Sequence, residues 1–190
     1  MDTFLVSVAA IAFAELGDKT QLLAIVLAAR FRAPLPIILG ILTATVTNHL
    51  LAAFFGNLAG DWLSPAVLRW ILAVSFILMA LWTLLPDKLD NEPKRFDRFG
   101  AFGATAVSFF LIEMGDKTQI ATMALAARYH SVLLVAMGTT VGMMVADVPA
   151  VYLGDIAAQK LPLRPMRIVA ALIFLALGIA AMLDLGSRFL

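Results

Sequence analysis

Glu15-Leu16-Gly17-Asp18-Lys19-Thr20-Gln21 returns as Glu113-Met114-Gly115-Asp116-Lys117-Thr118-Gln119, 98 residues further along the chain. The agreement runs past the motif. Leu27-Ala28-Ala29-Arg30 matches Leu125-Ala126-Ala127-Arg128 at the same offset, and ten of the sixteen positions from Glu15 to Arg30 are identical. At the same spacing Gly40 meets Gly138, Gly56 meets Gly154, Arg69 meets Arg167 and Phe76 meets Phe174. Two apolar helices share scattered Leu and Ala by chance; they do not share a polar heptapeptide in register. The sequence is a gapless internal duplication, one unit used twice.

Around the motifs the sequence is apolar. Of 190 residues 62% are hydrophobic and 14% charged, whereas soluble domains carry about 25% charged residues. A membrane-spanning helix needs about 20 largely apolar residues. Stretches of that kind fall at 4–29, 35–56, 66–85, 100–127, 132–153 and 165–183. Segments of this length argue against a soluble protein with a greasy core, and they leave no room for a soluble domain. Three segments per repeat is an odd number, so the second repeat enters the bilayer from the opposite face. The predicted fold is an all-α membrane protein of six transmembrane helices, built as two inverted three-helix repeats, 1–86 and 100–190, with a cytoplasmic linker at 87–99. That arrangement is common among secondary transporters.

Orientation follows from the basic residues. With the N-terminus outside, the inner loops hold Arg30, Arg32, Lys88, Lys94, Arg95, Arg98, Lys160, Arg164 and Arg167, nine in all, against Arg69, Arg128 and Arg188 on the outer side. The positive-inside rule then puts both termini outside the cytoplasm. The opening Met-Asp lacks the basic run of a signal peptide, so the first segment reads as a retained helix.

Several function classes fall away. There is no cysteine, which removes disulfides, thiolate metal sites and thiol catalysis. The basic residues form no large patch, so nucleic acid is not an expected partner. No nucleotide-binding motif is present, and nothing calls for a bound cofactor. The expected partners are the lipid bilayer and a divalent metal ion.

The chemistry lies in the motifs. Glu15 is about eleven residues beyond Phe4, roughly 17 Å into an apolar core about 30 Å thick. Each motif places three charges at that depth, and intramembrane ionisable residues are functional candidates by default. Glu15, Asp18 and Gln21 are spaced to share one helix face, Glu15 and Lys19 are spaced to pair, and Gly17 permits local unwinding that would expose carbonyl oxygens. The second motif repeats this with Glu113, Asp116 and Gln119. Thr20, Thr118, Lys19 and Lys117 are further candidates. Four carboxylates and two lysines leave a formal charge of −2, which one divalent cation or two protons would balance. Carboxylate, carboxamide and hydroxyl oxygens suit hard cations such as Mn²⁺, Ca²⁺ or Mg²⁺. Met114, Met143 and Met144 serve either as ordinary packing residues, the favoured reading, or as thioethers that tilt a site toward Mn²⁺ over Ca²⁺. Asp147, ahead of Pro149, and its repeat mate His49, beside Asn48, serve either as ligands and proton carriers or as helix-packing hydrogen bonders. The residues alone leave three readings open besides a transporter: a passive cation channel, a membrane lipid-pyrophosphate phosphatase, and a structural subunit.

Two copies of Glu-x-Gly-Asp-Lys/Arg-Thr/Ser, each on the first helix of a three-helix repeat, resemble the family of small manganese and calcium transporters. That family includes the Golgi cation/proton antiporter of eukaryotes and bacterial manganese exporters. The resemblance covers essentially the whole chain without departure from the pattern. It implies a transporter rather than an enzyme, with Glu15, Asp18, Glu113 and Asp116 at the metal site. It further implies export of Mn²⁺, or of Ca²⁺ in some members, coupled to protons, here in a bacterial plasma membrane.

Overall fold

The computed structural model describes residues 2–85, 94–160 and 163–183. Among these residues lie eight α-helices: α1 (Asp2–Glu15), α2 (Lys19–Phe31), α3 (Pro34–Trp62), α4 (Pro65–Thr83), α5 (Gly100–Glu113), α6 (Lys117–Tyr129), α7 (Val132–Lys160) and α8 (Leu163–Met182). Among the described residues there is no strand. Of the expected linker, Lys94–Phe99 forms a short 3₁₀ helix; residues 86–93 lie outside the described residues, as do Arg188 and the rest of 184–190.

The apolar segments become helices, with one systematic difference. The first and fourth are each two half-helices, interrupted within the heptapeptide. Proline at the first turn starts α3 and α4, where its missing N–H would have no helical partner anyway. Arg32 and His130, repeat mates in left-handed conformation at φ 50° and 47°, end α2 and α6. Pro34–Trp62, Pro65–Thr83 and Val132–Tyr152 are each long and apolar enough to cross a membrane, and Arg167–Met182 is a shorter apolar helix.

The repeats are intertwined rather than side by side. The long helix α3 runs along both α5 and α6 of the other repeat, and α7 runs along α1 and α2; α3 and α7 also pack together. Gly40 and Gly138 permit one close crossing in each half. A Cβ on Gly40 would stand 2.8 Å from the Phe102 carbonyl oxygen and from Thr105, and one on Gly138 would stand 2.7 Å from the Phe4 carbonyl oxygen and from Ser7. Phe4 and Ser7 are the repeat mates of Phe102 and Thr105, so the two contacts are images of each other. Helices α4 and α8 form a separate pair, joined where Phe76 stacks on its repeat mate Phe174 with ring centroids 6.3 Å apart.

The distribution of polarity is that of a membrane protein. Leu35, Trp62, Leu78, Leu81, Leu133 and Tyr152 are each at least 60% exposed, while Glu15, Asp18, Glu113, Asp116, Lys117 and Asp147 are at most 2% exposed. An outside this apolar would be a liability in water, and lipid is the solvent it suits.

Because the obstructing atoms include backbone carbonyls, Gly40→Leu and Gly138→Leu will each lower the melting temperature of the detergent-purified protein, by about 1–3 kcal/mol of overpacking per site. Substitution by Leu at exposed Thr43 is the control and will leave the melting temperature near that of the parent.

Candidate cation site

The two breaks are built alike. Gly17 at φ 79° and Gly115 at φ 76° take the left-handed conformation, which other residues enter only with strain. The chain turns there, with the Asp18 amide donating to the Glu15 carbonyl at 3.0 Å and the Asp116 amide to the Glu113 carbonyl at 3.0 Å. Asp18 and Asp116 occupy the N-cap positions of α2 and α6, yet neither side chain caps its helix. Gln21 and Gln119 reach back instead: Gln21 Oε1 accepts from the Gly17 amide at 2.9 Å and Gln119 Oε1 from the Gly115 amide at 2.7 Å. A neutral carboxamide thus ties down the broken backbone, and the aspartates are left facing the interior. Gln21 also donates from Nε2 to the Ala146 carbonyl of α7 at 3.2 Å.

Three carboxylates converge. Glu15, Asp18 and Asp116 are buried, and each offers an oxygen within 4.8 Å of the others. Oxygen ligands stand about 2.0–2.6 Å from a hard divalent cation, so oxygens this close can share one ion. The lysines cross between repeats. Lys117 Nζ lies 2.5 Å from Asp18 Oδ1, and Lys19 Nζ lies 2.9 Å from Asp116 Oδ1. The spacing of Glu15 and Lys19 suggests a pair within one helix, and this does not form; the helix ends at Glu15, so the four-residue register that would align the two is lost. The shared helix face expected of Glu15, Asp18 and Gln21 is broken for the same reason. Thr20 Oγ1 donates to Glu15 Oε2, and Thr118 Oγ1 stands 3.5 Å from Asp116 Oδ2.

The fourth motif acid is held differently. Glu113 accepts from Thr45 Oγ1 at 2.9 Å and from Asn48 Nδ2 at 2.9 Å, both on α3. The repeat mates of Thr45 and Asn48 are Met143 and Ala146, which offer no side-chain donor, so the grip on Glu113 has no counterpart at Glu15. Asn48 is thereby a holder of a motif acid. Thr45 escaped the sequence reading, although it stands three residues before Asn48 and so on the same helix face. Asp147 and His49 are both buried, and among the described residues neither oxygen of Asp147 and neither ring nitrogen of His49 has a hydrogen-bond partner. Asp147 lies within electrostatic reach of Asp18, Glu15 and Glu113. Met143 and Met144 pack in apolar clusters, and Met114 is 57% exposed. Arg30 ties the end of α2 to Asp97 at 3.0 Å.

The family model described as divalent cation/proton antiporter GDT1 matches residues 3–91 and 101–188. A Vibrio cholerae protein named "Putative manganese exporter" is 49% identical over 181 residues, covering 95% of this chain and 90% of that protein. GDT1-like protein 4 of Oryza sativa is 26% identical over 95% of this chain and 73% of its own length. GDT1-like protein 5 of Arabidopsis thaliana is 26% identical over 95% of each. No solved structure matches.

The crossed ion pairs differ in burial, with the Lys117 side chain 3% exposed and that of Lys19 24% exposed. Removing one partner of a buried pair costs about 3–5 kcal/mol; both aspartates are buried, but Lys19 is the better solvated of the two lysines, and its pair is the weaker one. Lys117→Met will therefore lower the melting temperature in metal-free detergent by clearly more than Lys19→Met, as followed by differential scanning fluorimetry.

Proposed function

The chain belongs to the GDT1 family of divalent cation/proton antiporters, transport proteins rather than enzymes, and on that premise we propose that it exports Mn²⁺ in exchange for protons. The site is the one built by the two heptapeptides. The observation that carries this reading is the meeting of Glu15 and Asp18 from one repeat with Asp116 from the other, buried and within 4.8 Å. Glu113, Gln21 and Gln119 complete its surroundings.

The membrane arrangement in this proposal is six spans in two inverted three-helix repeats, with both termini outside the cytoplasm of a bacterial cell, in the inner membrane. Helices α1 and α2 are too short to span singly. Together they rise about 40 Å at 1.5 Å per residue, enough for an apolar core about 30 Å thick, and α5 with α6 is their image. Broken helices whose ends meet near mid-membrane are the usual ion sites of inverted-repeat transporters.

Exchange follows from competition for one set of oxygens. A carboxylate holding a proton is a poor ligand, and one coordinating a cation has given its proton up. Mn²⁺ reaching the site from the cytoplasm displaces protons or lysine ammonium groups from the acids. Protons from the other side then displace Mn²⁺ once the site faces outward. Lys117 and Lys19 substitute for the cation between these steps, and so limit the penalty of an apolar interior holding bare carboxylates. The oxygen donors suit Mn²⁺, Ca²⁺ and Mg²⁺ alike; the choice of Mn²⁺ leans on the Vibrio cholerae relative. The chief rival is a passive cation channel, which would use the same oxygens without moving protons. A phosphatase would need cationic or nucleophilic partners directed at a phosphate, whereas here both motif lysines are engaged by motif aspartates.

Proteoliposomes holding the purified protein and a pH-sensitive dye will show Mn²⁺-dependent proton movement, and an imposed pH gradient will drive Mn²⁺ uphill. Asp116→Asn will abolish both while leaving the protein folded. Mn²⁺ flux without proton movement, indifferent to the pH gradient, would favour the channel. For the topology, thiol-specific labelling of Asp2→Cys and Phe189→Cys in whole cells will mark both from outside; marking only after the cytoplasm is opened would reverse the orientation.

A further inference from the structure

Arg167, counted above only among the basic residues, reaches the centre of the molecule. Its Nη2 donates to the Gly17 carbonyl at 3.3 Å. Gly17 precedes the N-cap of α2, so its carbonyl has no place in the hydrogen-bond ladder of either half-helix. A buried backbone carbonyl without a partner is costly, and Gly17 is buried. The guanidinium supplies that partner.

The repeat supplies a second copy of every part of this contact, and the second copy is not made. Arg69 is the mate of Arg167, and Gly115 the mate of Gly17. Among the described residues no hydrogen bond joins Arg69 to Gly115. Among the described residues Arg69 Nε has no hydrogen-bond partner, and the side chain lines a separate cavity of about 360 Å³ beside Arg128 and His130. Gly115 is exposed, whereas Gly17 is buried. The difference extends to whole helices. Helix α8 packs along α1, and α4 packs along α6. The repeat image of the first contact would be α4 along α5, and that of the second α8 along α2. One sequence unit, used twice, is thus caught in two arrangements.

We propose that Arg167 and Arg69 are alternating positioning residues for transport. Arg167 latches the Gly17 break while the Gly115 break is open; Arg69 latches the Gly115 break when the arrangement is exchanged. The α4–α8 pair moves as one body between the two, about the Phe76–Phe174 stack that lies between repeat mates. Moving α8 from α1 to α2 withdraws Arg167, and moving α4 from α6 to α5 brings Arg69 to Gly115. Neither arginine touches the ion. Each acts by making burial of one break affordable, which sets which side of the site is closed. This rests on the transport reading above and adds to it the residues that choose the open side.

The chain has no cysteine, so single introduced thiols report cleanly. Leu16→Cys and Met114→Cys place one beside each break at repeat-equivalent positions. In the purified full-length protein N-ethylmaleimide will modify position 114 faster than position 16. Arg167→Gln will lower the ratio of the two rates roughly tenfold, the scale set by loss of one charge-assisted hydrogen bond, and Arg69→Gln will raise it. The double variant will return toward the parent. General loosening of the fold would speed both thiols, and that outcome, or a ratio unmoved by either variant, overturns the proposal. Mn²⁺ flux assayed on the same preparations separates the two ideas: flux with unmoved ratios defeats the latches alone, and opposed ratio shifts without flux defeat the export reading alone.

Discussion

Two lysine–aspartate pairs that cross between the repeats are the constraint on which the interior depends. Lys117 serves Asp18 and Lys19 serves Asp116, so each heptapeptide brings charges that the other helps to neutralise. In a medium as apolar as the surroundings of these helices, an unmatched carboxylate is costly enough to oppose insertion. Neither repeat could therefore bury its motif alone. The intertwining of α3 with α5 and α6, and of α7 with α1 and α2, is the packing that brings the two motifs face to face.

The breaks in the first and fourth segments come from the same heptapeptide. Glycine in the left-handed conformation turns the chain, and the glutamine three residues after each aspartate accepts the glycine amide. Aspartate is among the best N-caps, yet here it caps only through its backbone. That division of labour is what makes the carboxylate available. On the proposed reading the lysine held by each aspartate is the stand-in for the transported ion. A site so furnished exchanges one positive partner of its aspartates for another.

Much of this was legible in the sequence. A polar heptapeptide repeated at an offset of 98 announced the duplication, and Gly17 signalled unwinding; of the four acids expected together, Glu15, Asp18 and Asp116 lie close while Glu113 is held by α3. Phe76 and Phe174, matched only by spacing, proved to stack. What the sequence concealed were matters of contact. Spacing rules for a continuous helix paired Glu15 with Lys19, because nothing local says that the helix stops between them. The grip of Thr45 and Asn48 on Glu113 depends on how α3 crosses α5. Arg167 looked like one more basic residue near a helix end, and only the approach of α8 to α1 gives it a partner. The two different arginine contacts were hidden as well, since Arg69 and Arg167 occupy equivalent positions in the duplicated sequence.

The proposed exchange stands on one physical claim, that Mn²⁺ and protons compete for the carboxylates of Glu15, Asp18 and Asp116. Isothermal titration of Mn²⁺ into the purified protein, run in two buffers of different ionisation enthalpy at one pH, measures that competition directly. The account predicts proton release of about one or more per Mn²⁺ bound, as expected when ligands must be deprotonated to coordinate, and loss of that release with Asp116→Asn. Tight Mn²⁺ binding with the same heat in both buffers, and hence no proton released, would contradict it.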